Sequence, residues 1–344
     1  MADTPAEDPI DIDRLRDYLA RQLPGGARSV TISGFAVSGS SNITAYLEID
    51  GRRCVLRRPP VGDLLPTSHD MIREYKFVHA LEGSQVPVAP IVLACTDAEV
   101  IGAPFYIAQR IDGAVLQDQI PPGYADPAAI TALAHHVIDT LAALHEVSWQ
   151  HLDLPYRPGD YLQRQISRWT RQLELTETAD RLRGLPAVTT WIKARCPAPA
   201  DQVIVHGDYG LHNMIIGIPP DARIHAVLDW EMATIGDPLA DLAWFLSGWG
   251  QSDSDRRVRN PANVITTWAG APSAADLLER YERASGRTID DWTFYQAFTM
   301  WKGAIITEGL YSQFVHGTAA NPAVVRFREE VPAQVAKLRE LIGI

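Results

Sequence analysis

The stretch His206-Gly-Asp-Tyr-Gly-Leu-His-Asn213 lies between two short apolar runs, Val203-Ile-Val205 and Met214-Ile-Ile216. The pattern reads as buried strand, polar loop, buried strand. Within the loop an acid, Asp208, is followed five positions later by an amide, Asn213. That spacing suits phosphoryl transfer, in which the Asp accepts the proton of an attacking hydroxyl and the Asn ligates magnesium. A further apolar run, Ile224-His-Ala-Val-Leu228, delivers Asp229 at its end. A carboxylate there can bridge magnesium to nucleotide phosphates. Magnesium prefers hard oxygen ligands and keeps several waters, so one carboxylate and one amide oxygen suffice beside phosphate oxygens. The two acids then divide the work. Asp208, outside the metal shell, orients the nucleophile, and Asp229 stays ionised on the metal.

Upstream of this segment, apolar residues at 12, 15, 19 and 23 predict a short helix ending at Pro24-Gly25-Gly26. Strand-like runs follow at 29–37, 43–49 and 52–58, the last two joined by the hairpin dipeptide Asp50-Gly51. Residues 69–82 carry a helical stripe of Met71, Tyr75, Val78 and Leu81, and strands are expected near 90–95 and 104–111. From residue 112 the pattern turns helical. Ile130, Leu133, Val137, Leu141 and Leu144 stripe a helix over 127–146. Further helices are expected at 158–175, 187–195, 237–248, 273–285, 290–314 and 325–341, around a β-like island at 203–229. The expected division is a nucleotide-binding lobe of 1–111 and a helical lobe of 112–344 that carries the catalytic loop and substrate site.

Composition sets the class. A chain of 344 residues, 46% hydrophobic and 21% charged, fits two packed lobes of a soluble globular protein. Cys54, Cys95 and Cys196 form no C-x-x-C pair, and the N-terminus has neither the basic start nor the apolar run of a signal peptide. A reducing cytoplasm is the expected location. A net charge of −11 disfavours general binding to nucleic acid or anionic membrane. The expected partner is a small-molecule substrate, and the sequence gives no sign of oligomeric state.

His206-Gly-Asp-x-x-x-x-Asn213, Leu228-Asp-Trp-Glu231 and Gly236-Asp-Pro-Leu-Ala-Asp-Leu-Ala-Trp244 together resemble the aminoglycoside phosphotransferase and choline kinase family. Leu56-Arg-Arg-Pro-Pro60, Leu64-Leu-Pro66 and His69-Asp-Met-Ile-Arg-Glu-Tyr75 look like the phosphotransferase domains associated with acyl-CoA dehydrogenases. The resemblance implies an α+β, protein-kinase-like two-lobed fold, with an antiparallel sheet in the first lobe and helices in the second. It also implies ATP and Mg2+ as cofactors. By the same resemblance, Gly39, Ser40, Ser41 and Asn42 become the phosphate-covering loop, although they depart from G-x-G-x-x-G. Arg57 takes the place where kinases carry Lys, and Glu74 is its helix partner. Arg58 competes for that role, because strand alternation lets only one of the two arginines line the cleft; motif register favours Arg57. Gln109 and Ile111 would offer backbone groups to adenine, with an ordinary edge strand as the competing reading.

Other residues read as structural. His206 is expected to bond the loop backbone, Asp241 to brace the catalytic loop, Asp237 to cap a helix and His145 to end one. The adjacent His135 and His136 point in different directions on a helix and make a poor metal pair. Aromatic residues at 292, 295 and 301 fit core as well as cleft, and Glu177, Glu308, Glu329 and Glu330 fit solvated helix faces. The reaction expected is transfer of phosphate from ATP to a small-molecule hydroxyl. A protein kinase is disfavoured, because seven residues separate Asp229 from Asp237 and no A-P-E follows. A silent nucleotide-binding pseudokinase is the alternative of another class. For the acceptor, an aminoglycoside competes with a hydroxyacyl-CoA. The basic residues Arg326, Arg328, Lys337 and Arg339 favour the latter.

Overall fold

The computed structural model describes residues 10–36, 42–60, 70–116, 121, 123–199, 201–250, 265–318 and 321–344. Helix α1 (Ile12–Gln22) starts where Asp11 accepts the Arg14 N–H at 3.1 Å, and Leu15 and Leu19 form its buried stripe. Strands β1 (Val30–Phe35), β2 (Ile43–Ile49) and β3 (Arg52–Arg58) form an antiparallel meander. Asp50 and Gly51 both have positive φ, 48° and 79°, which is the twist a two-residue hairpin loop needs. Helix α2 (Met71–Ala80) follows, capped by Asp70, and then β4 (Ile91–Cys95) and β5 (Phe105–Gln109). The elements come in the expected order of three strands, a helix and two strands, and the sheet order is β1-β2-β3-β5-β4.

This sheet is covered on both faces. Ala45, Leu47, Cys54, Leu56, Phe105 and Ile107 pack with Leu15 and Leu19 of α1, whereas Tyr106 and Ala108 pack with Met71 of α2. Arg57 is the cross-strand partner of Tyr106, so it lies on the α2 face, and Arg58 lies on the other. Strand alternation therefore decides which arginine reaches the functional side.

The remainder is mainly helical. Strand β6 (Ala114–Val115) leads into α3 (Pro127–His145), α4 (Tyr161–Glu174) and α5 (Leu185–Ala194). The expected β island forms two small sheets. In one, β7 (Val203–Val205) pairs with β10 (Thr234–Gly236); in the other, β8 (Met214–Ile216) lies between β6 and β9 (Ile224–Val227). They separate because the loop after β7 turns β8 onto a new partner, so one contiguous apolar region feeds two ladders. Then come α6 (Pro238–Leu246), α7 (Ala274–Ser285), α8 (Trp292–Val315) and α9 (Phe327–Ile342). Ser273 and Asp276 make the reciprocal capping box expected at the start of α7.

Helix α3 is long and apolar enough to cross a membrane by length and composition, yet its stripe of Ile130, Leu133, Val137, Leu141 and Leu144 is buried in the protein's largest core. Each such side chain contributes about 1.5–3 kcal/mol on burial. That core fixes β7 and α6 beneath the loop that carries Asp208.

Candidate active site

The catalytic loop is held from below. Asp241 of α6 accepts the N–H groups of His206 at 2.7 Å and Gly207 at 2.9 Å. Burial raises the Asp241 carboxyl, but His145, His206 and the backbone donors outweigh it and leave its pKa lowered. His145 ends α3, fully buried, with Nδ1 2.6 Å from the Tyr281 hydroxyl and Nε2 3.6 Å from Asp241. The fully buried His206 bonds the Leu228 carbonyl through Nε2 at 2.9 Å and accepts the Asp208 N–H at Nδ1, at 3.2 Å. Those two bonds make His206 a tie between two loops. Gly207 has φ 83°, and a Cβ there would meet the Met232 carbonyl at 2.8 Å, so the motif needs glycine at this position.

Asp208 emerges from this support with its side chain 34% exposed. Trp244 Nε1 donates to Oδ1 at 2.8 Å, while Asn213 Nδ2 lies 3.1 Å and His212 Nε2 3.3 Å from Oδ2. Burial pushes its carboxyl up, but bonding to His212 and Trp244 overcomes this and lowers the pKa. Asp208 is therefore an ionised, oriented carboxylate. Asn213 spends its amide nitrogen on Asp208, which leaves its side-chain oxygen for another partner. Asp229 follows β9 in the left-handed region, φ 64°, an uncommon conformation for a residue with a Cβ.

Arg57 of β3 connects the sheet to Asp229. Its guanidinium lies 2.5 Å from Glu74 Oε1 and 3.4 Å from Asp229 Oδ1. Glu74 has no exposed surface and also accepts the Tyr106 hydroxyl at 3.0 Å. Burial opposes the Arg57 cation, but Glu74, Tyr106 and Asp229 outweigh it and hold it charged; burial pushes the Glu74 carboxyl up while Arg57 pulls it back. Arg58 instead donates to the carbonyls of Pro59 and Ile101 on the α1 side. Arg73 of α2 donates to the carbonyls of Glu231, at 2.7 Å, and Ala233, pinning α2 to the segment after Asp229.

Asp208, Asn213, Asp229, Arg57 and Glu74 thus come together. Asn42 approaches Glu231, 3.5 Å between Nδ2 and Oε2, whereas Gly39, Ser40, Ser41 and Leu64-Leu-Pro66 lie outside the described residues. Gln109 is exposed and its N–H is used by the Pro90 carbonyl at 2.8 Å, so this donor is not available to a base.

Two readings change, for Glu308 and the basic residues of 325–344, and one that was left open closes on core, for Tyr295 and Trp301. Glu308 does not lie on a solvated face: it has no exposed surface and pairs with Arg181 through both oxygens. Tyr295 and Trp301 are core, bonded to Asp237 and Thr189. The basic residues of 325–344 lie on α9 and the turn before it, packed on α8 and α5, and no described hydrogen bond or ion pair links them to Asp208, Asn213 or Asp229.

The residue that sequence reading missed is Lys302. Its ammonium lies 4.2 Å from the centre of the Trp244 ring. The available signal was α8 itself: apart from Lys302 and Glu308 it carries no charged residue, and a helix apolar all round is buried with whatever charges it contains.

The donor set decides which group this site fits. Asn213 and Asp229 supply an amide and a carboxylate oxygen, the hard set magnesium takes, and Arg57 Nε is a buried donor without a partner beside them, suited to a phosphate oxygen. Among the described residues no group of three His, Cys, Asp or Glu side chains forms a self-sufficient metal cage. This agrees with a metal that would rely on phosphate oxygens and water for its remaining ligands.

Residues 31–298 match the model of the phosphotransferase enzyme family. This chain belongs to that family. The phosphotransferase is 33% identical over 286 residues to acyl-CoA dehydrogenase family member 10 of Mus musculus, and 34% identical over 326 residues to family member 11 of Pongo abelii. These alignments cover 82% and 92% of this chain but 26% and 41% of those relatives, so it spans less than half of either. Among solved structures it is similar to a Ralstonia eutropha protein described as an aminoglycoside phosphotransferase, with 32% identity, TM-score 0.83, and coverage of 96% of this chain and 99% of that one. The chain therefore has the kinase-like α+β fold of that family.

Proposed function

We propose that this phosphotransferase moves the γ-phosphoryl group of ATP to the hydroxyl of a hydroxyacyl-CoA. The observation that carries the reaction is the carboxylate of Asp208, ionised, oriented by Trp244, and bonded to the same Asn213 whose oxygen is left for a metal. Asp208 would take the acceptor hydroxyl's proton, a step worth about 10²–10⁴ in rate. Magnesium bound at Asn213 and Asp229 would neutralise charge on the transferring phosphoryl group. Arg57, held by Glu74, would grip phosphate oxygens, and the Gln109 carbonyl and the Ile111 peptide would border adenine in the hinge between lobes 1–111 and 112–344.

A protein substrate is disfavoured, since residues 230–236 form a tight 3₁₀ turn and β10, leaving no activation segment. The acceptor assignment is supported by the buried cation Lys302 of α8, which feels Asp208 through space, and by the acyl-CoA dehydrogenase relatives. A magnesium-ATP screen by mass spectrometry across hydroxyacyl-CoAs, free hydroxy acids, aminoglycosides, choline and sugars tests it. The expected result is one added phosphate on hydroxyacyl-CoAs. Transfer to aminoglycosides alone sinks the acceptor assignment, and transfer to nothing while ATP still binds sinks the enzyme.

A further inference from the structure

Lys302 is 8% exposed, wedged between α4 and α6, with Nζ 4.2 Å from the Trp244 ring centre and 5.9 Å from that of Trp169. Among the described residues no hydrogen bond or ion pair reaches its ammonium; Asp241 and Asp208 act on it only through space, against Arg168. The opposite edge of Trp244 donates to Asp208 at 2.8 Å, so one indole separates a buried cation from the catalytic base. A cation–π contact recovers about 0.5–2 kcal/mol, whereas desolvating an ammonium costs several. Packing alone does not account for it, because Met would fill the same gap without that cost.

The cation has company. Arg168 stacks its guanidinium 5.2 Å from the centre of the Trp169 ring, and Arg168 and Arg157 lie close enough to Arg73 to repel it. Arg157 and Arg168, like Lys302, make no ion pair among the described residues. Arg157 and Arg168 are exposed, whereas Lys302 is buried; in a chain of net charge −11, a buried ammonium without an ion pair among the described residues, with Arg168 acting on it, points to an anionic ligand.

Resting on the kinase reading above, we propose that Lys302 is the acceptor-recognising residue, binding an acyl oxygen of a hydroxyacyl substrate, with Arg168 and Arg157 receiving the outlying phosphates of its coenzyme A. The division follows from reach. A buried ammonium one ring from the base touches only groups near the reacting hydroxyl, which means the acyl oxygen, whereas the pantetheine arm carries the phosphates outward. The acyl oxygen is either a thioester carbonyl or a free carboxylate.

The test compares wild type, Lys302→Met and Lys302→Arg with hydroxybutyryl-CoA, free hydroxybutyrate and butanediol as acceptors. Binding of non-hydroxylated butyryl-CoA in the presence of MgADP is measured alongside by calorimetry. The expected result for Lys302→Met is a KM for the acyl acceptor raised about tenfold to a hundredfold, the range of a lost charge-assisted bond, with butanediol unaffected and Lys302→Arg in between. Loss confined to the thioester identifies the carbonyl, and loss confined to the free acid the carboxylate. An unchanged KM together with unchanged butyryl-CoA affinity overturns the assignment. Equal loss with butanediol also overturns it, because Lys302 would then act through Trp244 on Asp208. If wild type phosphorylates no acyl compound yet binds butyryl-CoA in a Lys302-dependent way, the kinase reading fails and the acceptor site stands; no butyryl-CoA binding by wild type removes the site. MgADP affinity reports folding, and Lys302→Gln replaces Lys302→Met if the latter loses it.

Discussion

Two walls can be told apart by their ion pairs: at one, Arg57 meets Glu74 at 2.5 Å and Asp229 at 3.4 Å, and at the other, Lys302, Arg168 and Arg157 make no ion pair with a carboxylate among the described residues. The nucleotide side is tied together before any ligand arrives. Its Arg–Glu pair joins β3 to α2, and Arg73 joins α2 to the segment after Asp229, so the phosphate-facing groups are set by the fold. The other side places Lys302 and Arg168 on aromatic faces, and on the proposed reading an acceptor would complete their charge. One donor nucleotide needs one geometry, which internal ion pairs can enforce. Recognition of the acceptor rests on charges that the protein does not neutralise itself.

The largest effects belong where the two walls meet, at Asp208. Asp208→Asn keeps the shape and removes the base, and kcat is expected to fall about 10²–10⁴-fold with ATP affinity unchanged by calorimetry. Turnover near wild type would break the assignment. The lowered pKa of Asp208 means that its activity is lost only as pH falls below the ordinary carboxylate range, so a kcat profile should show no limb from this group between pH 5 and 8. Asp229→Ala is expected to remove the magnesium-dependent part of nucleotide binding; equal affinity with and without the change counts against Asp229 as the metal ligand.

Next comes the paired wall. Glu74→Gln leaves Arg57 buried without its counter-charge, and breaking such a pair costs about 3–5 kcal/mol of stability. Denaturant unfolding should show the loss. A change below about 1 kcal/mol would mean that the wall is not organised by this pair.

The contrast between the walls also marks how far the sequence could be read. The placement of Asp208 and Asn213 in a loop between strands, and of Asp229 after the next strand, was legible because those strands are written as apolar runs. The N-terminal meander was legible from alternation and Asp50-Gly51. The choice of Arg57 over Arg58 needed the pairing of Arg57 with Tyr106, which depends on which strand neighbours β3. Lys302 was out of reach for a related reason: its partners Trp244 and Trp169 lie on α6 and α4, far away in the chain, and only tertiary packing brings them to it. The same holds for Glu308, whose Arg181 lies 127 positions earlier. Basic residues in 325–344 were legible as charges, but the packing of α9 on α8 and α5 was not.

The smallest effect has the opposite sign. Lys302 is packed by α4, which contributes Arg168, and by α6 and the catalytic loop, which contribute Asp241 and Asp208; burial dominates and lowers its pKa from 10.5 to about 8. A lysine whose pKa is lowered by folding binds its proton more weakly in the native state, so it costs stability while protonated. The cost is complete below pH 8, shrinks as pH rises between 8 and 10.5, and is gone above that, where both states are neutral. The size of the shift corresponds to roughly 3 kcal/mol. Lys302→Met is therefore expected to unfold at a higher temperature than wild type at pH 7, with the advantage fading by pH 10, whereas Glu74→Gln is less stable at neutral pH. Paired thermal melts at pH 7 and pH 10 check this. If Lys302→Met melts below wild type at pH 7, the ammonium is already compensated within the fold, and the acceptor wall is as self-sufficient as the nucleotide wall.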